Sequence, residues 1–177
     1  MKSVSRLLIP GLLASALLAG CGQSAKAPAP APTTPPAAAA QAAWPDIANR
    51  FVEDYFKAQP FFAVQSGRHE FDGQMPDLSA AGIAHEVARL QAARKELAAF
   101  DPAGLTPTQQ LERDVLLNVS DRDLFWLDQA RWPFRNPSWY LDKLDPDVYL
   151  SRDYAPLDQR LKGFIGYSRA VPGIVAA

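Results

Sequence analysis

A chain of 177 residues with 18 basic and 19 acidic side chains carries a formal net charge of only −1. Lys2, Arg6 and Lys26 precede Trp44 and no acid does, so the remainder sets 15 cations against 19 anions, a net of about −4. With no long basic patch, nucleic acid is not an expected partner, and a single cysteine excludes an intramolecular disulfide.

In chain order, residues 1–20 have the form of a secretory signal peptide. Lys2 and Arg6 make a positive start, and the apolar run Leu7–Leu18, broken by Pro10 and Gly11, is shorter than the roughly 20 residues a bilayer span needs. It ends in Leu-Ala-Gly-Cys at 18–21, which resembles a bacterial lipobox. That resemblance implies lipidation of Cys21, membrane attachment through its acyl chains, and, with Gly rather than Asp at 22, the periplasmic side of the outer membrane. More than one acyl chain is what makes such an anchor stable. Residues 21–43, beginning at that cysteine, are rich in Pro and Ala and carry one charge. They read as a disordered tether with polyproline II character.

Residues 44–177 read as an all-α domain, an irregular array of about four to six helices. Trp44-Pro45-Asp46 predicts a helix start, with Pro in the first turn. Ile47, Phe51, Tyr55 and Phe56 then recur at helical spacing until Pro60 interrupts, and a short turn stops at Gly67. Residues 68–78 read as a loop. Ser79 caps a second helix whose buried stripe is Ile83, Val87, Leu90, Leu97 and Phe100, with Arg89, Arg94, Lys95 and Glu96 outward. Thr106-Pro107-Thr108-Gln109 is a capping-box pattern opening a third, marked by Leu111, Val115, Val119 and Leu127 and reaching about Gln129. An irregular stretch follows with Trp132, Phe134, Trp139, Tyr140, Tyr149 and Tyr154 among several arginines. Such a mixture suits a binding surface; the same rings can fill the core of an irregular connection, which is the favoured reading. The last helix starts near Pro156 and ends before Pro172, with Gly163 and Gly166 allowing close packing inside it. Gly173–Ala177 resembles the first turn of a further helix, so the domain reads as an incomplete N-terminal portion whose final helices expose apolar faces.

No catalytic constellation is assigned. His85-Glu86 begins an HExxH pattern, but the position of the second histidine is Arg89, and a guanidinium cannot ligate a metal. The pair therefore reads as a solvated helix flank. His69 and His85 with Glu70, Asp72 or Asp77 do not form a spaced ligand set for a catalytic zinc, so no metal site is expected in this chain. Asp142, Asp145 and Asp147 could form a carboxylate cluster, but two of them flank an Asp-Pro turn, where Asp is common for local reasons.

The stretches "FFAVQSGRHEFDGQMPDLS" at 61–79, "LERDVLL" at 111–117 and "RNPSWYL" at 135–141 together resemble the N-terminal part of the bacterial "domain of unknown function 885" family. The resemblance covers most of residues 45–177, and its most specific piece is Gly67, His69 and Asp72 followed by Pro76, Asp77 and Ser79. It implies a largely helical, often lipid-anchored protein several times longer than this domain. Members are viewed as candidate zinc metallopeptidases whose HExxH-type motif lies in a second half with no counterpart here. The resemblance carries over no metal ligand. It assigns His69, Asp72 and Asp77 to an element that either fixes the fold or lines a cleft. The expected function is thus the non-catalytic N-terminal part of such a protein, with the C-terminal half of the same chain as partner and zinc only in the whole. A small helical lipoprotein acting as a binding or envelope-structural module is the alternative.

Overall fold

The structure, a computed structural model, describes residues 37–175, so the signal peptide and Cys21 lie outside it. Seven α-helices occur among the described residues and no strand. They are α1 (Ala37–Ala58), α2 (Pro60–Gln65), α3 (Ala80–Ala98), α4 (Pro107–Leu124), α5 (Ser138–Leu141), α6 (Asp147–Ser151) and α7 (Leu157–Val175). None is long and apolar enough to cross a membrane.

The first helix starts earlier than the Trp44-Pro45 signal predicts. It opens at Ala37, inside the stretch read as tether, because a run of alanines is the strongest helix former and Ala40 is buried beside Trp44. Pro45 therefore lies within the helix, where it cannot donate to the carbonyl of Gln41. The Gln109 side-chain amide donates to that carbonyl at 3.0 Å, tying the interrupted turn to the start of α4. Trp44, 1 % exposed, donates Nε1–H to Glu112 at 2.7 Å and meets Phe100 edge-on. With Phe51, Leu97 and Leu105 it forms the core between α1, α3 and α4.

The local punctuation appears where expected. Pro60 is the first residue of α2, Gly67 takes a left-handed φ of +88°, and the Ser79 hydroxyl accepts from the Gly82 amide. Thr106 and Gln109 form a reciprocal capping box at the start of α4. The buried face of α4 differs from the expected stripe. Val119 packs on the core as expected, but Leu111 and Val115 are 66 % and 51 % exposed, and Leu116 and Leu117 pack on the core instead, with Ser120 fully buried. Glu112 turns to Trp44 and Arg113 to the Leu97 carbonyl, and these two bonds set the rotation of the helix.

A second core joins Ala63 and Val64 of α2, Phe71, Val148 and Tyr149 of α6, and Tyr167 of α7. The predicted close approach at the α7 glycines is present. A methyl group on Gly163 would stand 2.9 Å from the Tyr149 ring. Contrary to the expected stop, α7 continues through Pro172 to Val175. Arg160, only 8 % exposed, donates to the carbonyls of Ala155 and Tyr149 and pairs with Asp153. The opposite stripe of α7, Leu157, Leu161 and Ile165, is 69 %, 49 % and 39 % exposed, as its expected apolar face requires.

Candidate functional site

The aromatic-rich stretch divides into two. Tyr149 and Tyr154 turn inward and hold the loop between Gly67 and Asp77. The Tyr149 hydroxyl accepts from the Gly73 amide at 2.9 Å, and Tyr154 donates to Asp72 Oδ2 at 2.9 Å. His69 stacks on the Tyr154 ring at 3.6 Å between centroids, with Nδ1 3.2 Å from Asp72 Oδ1. Burial first, then the Asp72 carboxylate, pushes the Tyr154 hydroxyl above its ordinary pKa, so it remains a donor to that carboxylate at neutral pH.

His69 and Asp72 are thus brought together, but Asp77 is engaged elsewhere. Its carboxylate accepts from the Ser79 amide at 3.0 Å, and hydrogen bonding by Ser79 holds it below the usual carboxylate range. Asp77 borders a separate groove with Asp54, His85, Glu86 and Arg89. In that groove the expected solvated pair is only half right. His85 is exposed, while Glu86 is half-buried and gripped by Arg89 through two bonds of 2.7 Å. Arg89 is correspondingly not outward; its guanidinium lies 5.9 Å from the Phe51 and Tyr55 ring centroids. No group of three or more His, Cys, Asp or Glu suited to a metal ion occurs among the described residues. Asp145 accepts from the Asp147 amide, the local turn role expected of that acidic stretch.

Trp132 and Trp139 belong to the other part. With Tyr55, Gln59, Arg122, Asp123, Trp126, Leu127 and Lys143 they line a cleft of about 340 Å³. Its size and mixed lining are those of small-ligand sites. Three backbone features aim these side chains. The last turn of the α4 segment widens to a π-helix at Phe125–Gln129, which turns Trp126 and Leu127 toward the cleft. Arg131 takes a left-handed φ of 50°, reversing the chain so that Trp132 comes back against Trp126, 5.5 Å between ring centroids. The short α5 then presents Trp139.

The polar wall is a closed set of bonds. Arg122 donates to Asp123 Oδ1 at 2.8 Å, and Tyr55 donates to Asp123 Oδ2 at 3.1 Å. Burial, reinforced by Asp123, pushes the Tyr55 hydroxyl up to about 12. Lys143 lines the same cleft, its ammonium 3.4 Å from Gln59 Oε1 and 5.4 Å from the Trp139 ring centroid. Burial holds its pKa below the ordinary lysine value. Sequence reasoning singled out Trp132 and Trp139 but missed Tyr55, Arg122, Asp123, Trp126 and Lys143. The available signal was that aromatic density begins at Phe125-Trp126, inside the helical pattern.

The model of a family described as bacterial protein of unknown function, DUF885, matches residues 60–177. A solved structure from Shewanella oneidensis, described as "a putative lipoprotein of unknown function", shares the fold with a TM-score of 0.62 at 22% identity. The match covers 76% of this chain and 24% of that one, so this chain spans about a quarter of its relative's length. No curated protein matches.

Proposed function

The chain belongs to the DUF885 family of bacterial proteins of unknown function, and from that premise we propose that it is the non-catalytic N-terminal lobe of a longer, lipid-anchored, periplasm-facing hydrolase. The observation that carries the reading is the apolar stripe Leu157, Leu161 and Ile165, a ready-made face for further helices of the same chain. The lipobox at Cys21 supplies the anchor and residues 22–36 the spacer. In this reading His69 and Asp72 fix the fold by binding Tyr154, and Asp77 holds the amide of Ser79, the residue that caps α3. Zinc belongs to the whole protein. The donors present here do not fit it: His69 is committed to Asp72 and Tyr154, and Glu86 to Arg89.

Sedimentation and hydrophobic-dye binding of the purified chain test the lobe. The stripe should drive self-association and dye uptake, and Leu161→Lys should reduce both with helicity retained. Zinc-dependent, chelator-sensitive peptide cleavage by this chain would overturn the non-catalytic assignment. Palmitate labelling that survives Cys21→Ser would overturn the anchor. A monodisperse, dye-silent chain would favour the second reading, a self-sufficient envelope binding module, for which the tryptophan-lined cleft speaks.

A further inference from the structure

The tryptophan-lined cleft carries an unbalanced charge. Asp123, one of its lining residues, is neutralised by Arg122 and capped by the Tyr55 hydroxyl. Lys143 has no ion-pair partner within 4.0 Å among the described residues; it meets only Gln59, at 3.4 Å, and the Trp139 ring, while Asp123 and Asp142 act on it from farther away. A half-buried ammonium beside apolar walls is unfavourable unless an anion meets it. Trp126, Trp132 and Trp139 supply flat faces around it, and Trp126 and Trp132 remain 43 % and 38 % exposed. Rings that only filled a core would be covered, and no carboxylate closes on the ammonium as an ion pair.

We propose that this cleft binds a small organic anion, a carboxylate on an aromatic or apolar body, with Lys143 meeting the carboxylate and the tryptophans sandwiching the body. The site is independent of any peptidase activity in the family. Its volume of about 340 Å³ limits the enclosed part to the size of one acylated amino acid. The same chemistry is offered by a free acid and by the C-terminal residue of a peptide.

Tryptophan fluorescence of the purified full chain reads binding directly, since three of its four tryptophans line the cleft and Trp44 is buried. N-acetylphenylalanine should give a saturable change, and its neutral amide should bind about tenfold more weakly or worse, ~1.4 kcal/mol per decade. Lys143→Met should abolish the acid-over-amide preference at unchanged helicity, while Lys143→Arg should retain it. A tripeptide ending in phenylalanine that competes identifies a peptide C-terminus as the source; failure to compete identifies the free acid. Equal binding of acid and amide, an unaffected Lys143→Met, or no saturable change with the acid would overturn the proposal.

Discussion

Gly163 shows how one missing side chain can position a whole segment. The Tyr149 ring occupies the space a Cβ would need, and its hydroxyl then reaches the Gly73 amide, so helix, ring and loop are registered by a single absence. Gly163→Ala should destabilise the fold by about 1–3 kcal/mol through overpacking. Gly173→Ala, where nothing lies within 4 Å, should be no worse than neutral, because alanine is the better helix former. Urea unfolding midpoints of the two variants make the comparison, and equal shifts would contradict this account. Arg89 gives a second lesson at the same scale. It occupies the position at which a second histidine would complete a metal motif, and it instead locks Glu86 and covers two aromatic rings.

At the scale of elements, α4 is held by its ends and its polar contacts more than by an apolar stripe. Its capping box is complete, Gln109 also reaches the carbonyl freed by Pro45, and Glu112 accepts from Trp44. Thr106→Ala should therefore cost about 1 kcal/mol, the usual value of a lost N-cap, read as a lower urea midpoint at unchanged slope. A change in slope would mean that the variant alters the compactness of the chain as well. The widened π-turn that ends the same segment has no counterpart in local propensity. Its effect is to bring Trp126 to the cleft that Trp132 and Trp139 close.

Across the whole molecule, tyrosine hydroxyls lie in or beside both cores. Tyr55 packs on the first, and Tyr149, Tyr154 and Tyr167 belong to or pack on the second. Burial is the first cause that raises the pKa of each, to about 12 for Tyr55 and Tyr167, and the Tyr167 hydroxyl has no hydrogen-bond partner. A raised folded-state pKa means stability that is fully present below the unfolded value near 10 and is lost as pH rises through the folded one. The urea midpoint should hold near about pH 8 and fall by about pH 11, in step with tyrosinate absorbance. A flat profile would show that these hydroxyls titrate as freely in the folded chain as in the unfolded one.

What the sequence by itself determined was the helical class and its punctuation, at Pro60, Gly67, Ser79 and Thr106. It determined these because caps, prolines and positive-φ glycines act on their immediate backbone neighbours. The close approach at Gly163 was also legible, since a glycine inside a strong helical pattern asks for a packing reason. The family was legible from a few short motifs, as the match over residues 60–177 shows. Which face of α4 is buried was legible only at Val119, because Glu112 and Arg113 choose it through partners on α1 and α3. Nor was the cleft. Tyr55 meets Asp123 across 68 residues and Lys143 meets Gln59 across 84, and only tertiary packing brings chemistry that distant in sequence to one wall.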